Sequence, residues 1–255
     1  MDIVTLSSSP AIAPPPLHPS DNGTVSTHAS ETGSVQPVSI EHNDPFHPFY
    51  KGETVQPLSQ AERSRVTTAL KTGIDWLKQA ISSLSKPFSE ETKGLLSELI
   101  PGGLQTEADK DMLKNKLIQT MTSMQKMLDD GASNVCSAMN IPGVAAVTSK
   151  NSGQMHISKD SLSNKSDTAL AAILLHEASH AYAKTDDNWL LTRHTTTNWD
   201  RLKSLLSSKP TPRFEQAAPT GGIVAPFTFT NSVNNAYTVQ YATEVLAARS
   251  YDSLE

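Results

Sequence analysis

Residues 167–184, DTALAAILLHEASHAYAK, constrain this chain more than any other segment. Ala169–Leu175 is unbroken apolar sequence and runs directly into His176-Glu177-Ala178-Ser179-His180, which predicts a buried helix carrying three ionisable side chains. Histidines at i and i+4 lie one above the other on a helix face, so both imidazoles can reach one metal ion. Glu177, one residue on, comes at such an ion from the side and can take a proton from a water activated there. The chain's own His and Glu frequencies give a chance HExxH in roughly one such sequence in a hundred, and a chance match seldom falls on a buried helix just after a strand. The pattern is therefore read as a metal site. The apolar run is also far below the roughly 20 residues of a membrane-spanning helix, so the chain reads as soluble.

The remainder of the 255 residues narrows the classes further. A net charge of −5 with 21 basic and 26 acidic residues scattered along the chain lacks the basic face of a nucleic-acid binder. A single cysteine, Cys136, excludes an internal disulfide and any Cys-rich metal cluster. Residues 1–50 contain no Lys or Arg but eight of the 16 prolines, eight serines and four of the eight histidines; their five acids account for the whole net charge. So sharp a break marks a boundary. Residues 1–55 are expected to be a disordered Ser/Pro-rich leader, because a proline-rich stretch without apolar periodicity cannot offset its ordering entropy. The leader has neither the basic start nor the apolar core of a Sec signal peptide. It resembles the N-terminal export signal of bacterial type III secreted effectors, which implies secretion into a host cell; the alternative location is cytoplasmic.

Residues 56–255 are expected to form the folded domain, with a helical part over 56–131 and a catalytic part over 144–255. Ser59 and Glu62 make a capping box ahead of the stripe Val66, Leu70, Ile74, Leu77, Ile81, Leu84, ended by Pro87. A short helix is expected over Ser89–Ile100. Thr106 and Asp109 open a third helix with the face Leu113, Leu117, Met121, Met124, Leu128, a Met-rich stripe that reads as core packing. Val144–Thr148 and Gln154–Ser158 read as strands around a Lys150-Asn151-Ser152-Gly153 turn. An irregular stretch with a helix over Asn198–Ser207 and a Pro-punctuated loop precedes a last helix, from Asn231 or Ser232 to about Arg249.

A catalytic zinc site needs a third protein ligand and leaves the fourth position to water. Two residues compete. Asp187 follows His180 by seven residues in AKTDDNW, a spacing that resembles the aspzincin (deuterolysin-like) pattern GTxDxxYG, with Lys184 standing at the first Gly and Leu190 at the Tyr. Glu244 lies in the closing run NAYTVQYATEVLAARS, two helical turns after Tyr237 and on its face, so one helix offers both a carboxylate and an oxyanion donor. The combination of LLHEASHAY with a final helix carrying Tyr, Glu seven residues on and Ala three and four beyond resembles gluzincins of the anthrax lethal factor and Pro-Pro endopeptidase group. That resemblance implies one zinc ion held by His176, His180 and Glu244, Glu177 as general base and Tyr237 stabilising the oxyanion; Asp187 is the alternative third ligand.

The expectation is thus a mainly helical α+β, zincin-like metalloprotease domain: a small sheet edge, the active-site helix beneath it and a C-terminal helical subdomain. It would be a zinc-dependent metalloendopeptidase, an effector or toxin cutting a host protein, with an extended substrate paired to the strand at Gln154–Ser158. The other readings are an aspzincin-like peptidase and a non-catalytic zinc-binding interaction module. His156 and His194 read as strand or surface residues, Cys136 as a buried structural thiol, and His18, His28, His42 and His47 as tail residues without ligand spacing. Arg213, Phe214 and Ile223–Phe229 read either as a loop over the substrate cleft or as an ordinary surface excursion.

Overall fold

The computed structural model describes residues 55–138, 145–150, 152–188, 190–193, 214–217 and 226–247. The leader up to residue 54, His194, Arg213 and the helix expected at 198–207 lie outside the described residues. What is described is a mainly helical α+β fold with a small mixed sheet.

The helices begin where their caps are written. In α1 (Gln60–Leu84), Glu62 N–H donates to Ser59 Oγ at 3.3 Å and Ser59 N–H donates to Glu62 Oε2 at 2.8 Å. In α3 (Glu107–Asp129), Thr106 and Asp109 close the same reciprocal pair at 2.8 and 3.1 Å. Between them α2 (Glu90–Leu99) is capped by Ser89, and the chain turns through Gly102 and Gly103, both at positive φ. α5 (Asp167–Tyr182) packs against α1 and α3. Leu70 and Leu77 of α1, Leu113, Leu117 and Met124 of α3, and Leu170, Leu174 and Leu175 of α5 are all fully buried in one cluster. At about 1.5–3 kcal/mol for each such side chain, this cluster is the main attractive term holding the three helices together. Of the α3 methionines, Met124 lies in that core as its spacing predicts, Met127 joins it, Met121 packs half-buried against it and Met112 is exposed.

The sheet runs β1 (Gln56–Pro57), β2 (Val135–Ala138), β4 (Met155–Ser158), β3 (Ala146–Thr148), with β2 parallel to β4 and the other pairs antiparallel. β3 and β4 form the expected hairpin, with Gly153 in the left-handed region at φ 72°. β2 is not among the expected strands: the four residues VCSA show no alternation, and only pairing with β1 and β4 makes them a strand. That pairing corrects the expected substrate edge. β4 is flanked on both sides, so Met155–Ser158 is interior, and the outer strands are β1 and β3. His156, on β4, is buried, and Cys136, on β2, is half-buried with its thiol pKa pushed up by that burial.

A short α4 (Lys159–Asn164) leads from β4 to α5. After α5, β5 (Leu190–Arg193) and β6 (Phe214–Ala217) form a second, antiparallel pair. The last helix, expected as one piece, is two: α6 (Phe229–Val233) and α7 (Ala236–Leu246), broken at Asn234-Asn235. No helix among the described residues is long and apolar enough to cross a membrane.

Candidate metal centre

Basic side chains from two neighbours grip both ends of α5. Arg65 of α1 donates to the carbonyls of Leu162 and Lys165 and pairs with Asp167 at 2.9 Å, at the N-terminus. Lys116 of α3 donates to Ala183 O at 2.6 Å, at the C-terminus. Within this frame His176, Glu177 and His180 lie side by side on a buried surface, each less than a tenth exposed. The imidazoles meet edge to face, with centroids 5.1 Å apart, as an i, i+4 pair must.

The orientation of His180 is set by residues just past the helix. Its Nδ1–H donates to Thr185 O at 2.9 Å, which leaves Nε2 as the free acceptor on the open side. Thr185 is itself held: its hydroxyl lies 2.7 Å from Ser179 Oγ, which also contacts His176 O at 2.7 Å. Ser179 and Thr185 are fully buried.

α5 was expected to reach Lys184 and stops two residues short, because Lys184 takes a left-handed backbone at φ 53°. That turn sends the next residues back across the helix face. Asp187 then brings Oδ1 to 3.3 Å from His176 Nε2 and Oδ2 to 3.6 Å from His180 Nε2. Ligand atoms of His176, His180 and Asp187 all lie within 4.8 Å of one another. Two imidazoles and a carboxylate at this spacing are a donor set that fits a zinc-type ion.

Glu244 does not join this group. It is buried on α7, where a carboxylate oxygen accepts from Gln240 Nε2 at 3.2 Å. The reason is axial rise. Tyr237, on the same helix, has its ring centroid 4.4 Å from that of His176, and seven residues further along a helix is about 10 Å away. A helix that seats Tyr237 at the site carries position 244 past it. Tyr241, between them, stacks against the buried Phe214 of β6 with centroids 5.0 Å apart, so Phe214 packs on α7 rather than forming a free loop.

The charges shape one another. Burial pushes the Glu177 carboxyl upward, and the two imidazoles only partly oppose it, so its pKa stays above the ordinary value. Burial alone would lower His176, but its hydrogen bond with Asp187 and the fields of Glu177 and Asp187 raise it. Burial works against the Asp187 charge as well; the hydrogen bond from His176 and the fields of His176, His180 and Lys150 outweigh it and hold this acid below the usual range. Tyr237 is pushed up to about 12 by burial first and then by the negative field of Asp187, Tyr241 and Glu177. Its phenol stays protonated and able to donate.

No protein-family model matches the chain, and no curated protein matches it in sequence. Among solved structures it is similar to one described as a zinc peptidase from Grifola frondosa, at 17% identity over 76% of this chain and 100% of that one, with a TM-score of 0.45.

The residues that hold the Asp187 loop went unnoticed in the sequence. Asp186 N–H donates to Asn234 O at 2.8 Å and Ala236 N–H to Asp186 O at 3.0 Å, a one-residue parallel bridge to the turn before α7. Asn188 N–H donates to Asn235 Oδ1 and Asn188 Nδ2 to Asn231 O, both at 3.0 Å. Lys150 pairs with Asp186, and Lys184 Nζ donates to Lys150 O. One signal was available: adjacent asparagines inside an otherwise apolar helical run are poor helix formers and mark a break.

Proposed function

We propose that the protein is a zinc-dependent peptidase of zincin type, in which His176, His180 and Asp187 hold one ion, Glu177 is the general base and Tyr237 the oxyanion donor. The observation that carries this reading is the approach of the Asp187 loop to His176 and His180, with ligand atoms of the three within 4.8 Å of one another, beside a helix that also presents Glu177. Asp187 takes the ligand role in place of Glu244. Zinc, when bound, polarises the scissile carbonyl and makes a water acidic enough to lose a proton near neutral pH.

The remaining steps belong to the chain. Glu177, buried beside both imidazoles, takes the proton from the attacking water and passes it to the departing amine. Tyr237, protonated and packed on His176, donates to the carbonyl oxygen as negative charge grows there. Thr185 holds His180 in the tautomer that offers Nε2. An extended peptide would pair with β3, the outer strand that contacts α5. The base-free leader supports the further proposal that the protein is exported and cuts a host protein; a reporter fused to residues 1–50 that stays inside the producing cell removes that part alone.

Elemental analysis of dialysed wild type, Asp187→Ala and Glu244→Ala protein tests the ligand set. The expected result is about one zinc in wild type and in Glu244→Ala, and its loss in Asp187→Ala. Retention in Asp187→Ala with loss in Glu244→Ala transfers the third ligand to α7. Zinc that survives in Glu177→Gln together with undiminished peptide hydrolysis rejects the mechanism.

A further inference from the structure

We propose that Asn235 is a positioning residue that locks the loop carrying Asp187 to the helix carrying Tyr237, so that one buried side chain sets the third ligand and the oxyanion donor relative to each other. The inference rests on the roles assigned above to those two residues.

Asn235 occupies the N-cap of α7, and asparagine is among the best N-capping residues because its side-chain oxygen can accept a free N–H of the first turn. Here it does not. The side chain makes no cap hydrogen bond to its own helix. Its Oδ1 instead accepts from the backbone N–H of Asn188 at 3.0 Å, while Nδ2 reaches the Thr238 hydroxyl at 3.4 Å. The residue is fully buried. A favourable local interaction has been given up for one 47 positions away in sequence.

The site of that long-range contact is specific. Asn188 follows Asp187 directly, and Asp186, which precedes it, is bridged to Asn234 and Ala236 on either side of Asn235. Asp187 is therefore held from both flanks by the same turn. Two residues beyond Asn235 stands Tyr237. The break between α6 and α7 places this turn where an uninterrupted helix would have no free acceptor to offer the loop.

The test compares wild type, Asn235→Ala and Asn235→Asp, the last of which keeps an acceptor oxygen at the same place. Two readouts are taken: protection of the Asn188 amide against hydrogen exchange in metal-free protein, and cobalt(II) titration followed by visible absorption. The expected result is that Asn235→Ala loses Asn188 protection while amides inside α5 and α7 keep theirs, and binds cobalt about 10-fold or more weakly, in the range of an outer-sphere partner lost from a metal site. Asn235→Asp restores protection. Where cobalt supports hydrolysis, kcat falls in Asn235→Ala with KM little changed. Unchanged Asn188 protection in Asn235→Ala, or weakening matched by uniform loss of protection throughout α7, overturns the proposal. Wild type that binds no cobalt refutes the metal-site reading instead, and the exchange measurement still decides whether Asn235 tethers the loop.

Discussion

His176 and His180 stand on a helix, Asp187 on a loop, and the two supports are built from different forces. The helix is held by fully buried leucines shared with α1 and α3 and by Arg65 and Lys116 at its ends. Its ligand spacing follows from 3.6 residues per turn and needs nothing else. The loop has no such core. It is aimed by a left-handed residue, Lys184, and then pinned by backbone and side-chain hydrogen bonds to the turn at Asn234-Asn235. One half of the site rests on packing, the other on a few directional bonds, so perturbations of comparable size should act differently on the two.

The largest effect is expected on the helix. Glu177→Gln keeps the shape of the side chain but cannot take a proton, so peptide hydrolysis should fall about 10²- to 10⁴-fold, with zinc content and melting temperature near wild type. Tyr237→Phe removes a donor that the loop's turn presents, and hydrolysis should fall by about 10²-fold with metal retained. A Tyr237→Phe enzyme that also loses zinc would mean that α7 and the metal site are less separable than the comparison holds. Leu175→Ala should cost about 2–5 kcal/mol in urea denaturation, since it opens a cavity in the buried cluster that holds α5. Breaking a loop bond is expected to weaken metal binding well before it lowers global stability.

A pH series separates the halves in the metal-free protein. Asp187 has a lowered folded pKa, so its contribution is present above its unfolded value and is lost as pH falls through the folded one. His176 has a raised folded pKa, so its contribution is present below its unfolded value and is lost as pH rises through the folded one. The stability difference between wild type and Asp187→Asn should therefore be greatest between about pH 4 and 6.5, where both hold, and shrink on either side. A difference that grows steadily with pH above 7 contradicts the pairing of loop and helix through these groups.

The same division explains what could be read from the sequence. Caps, helix stripes and HEASH are local, so α1 and α3 begin where Ser59 and Thr106 cap them, α5 begins at Asp167, and the histidines face one way. The choice between Asp187 and Glu244 is not local. Both lie at spacings that a resemblance can accommodate, and only the bridge between Asp186 and Asn235, 49 residues apart, brings the first one in. The same bridge meets the last helix at its break, so the division of that helix and the approach of Asp187 to the histidines involve one turn. β2 is not legible for a related reason: its identity comes from pairing with β1 and β4.

The smallest effect concerns Lys184, and it examines the origin of the loop directly. An L residue in the left-handed region bears a strain of about 1 kcal/mol or somewhat more, which glycine does not. Lys184→Gly and Lys184→Ala both delete the bond from Nζ to Lys150 O, so that loss cancels between them. The difference left is backbone. Glycine should be the more stable of the two by roughly 1 kcal/mol in urea denaturation, even though glycine is ordinarily the worse residue near a helix end by chain entropy. Here the GTxDxxYG pattern, which has glycine at this position, and the φ of 53° make the same demand on the backbone. If alanine proves equal or better, position 184 is not left-handed, the chain does not turn back over α5, and Asp187 loses the geometry that brings it to the histidines.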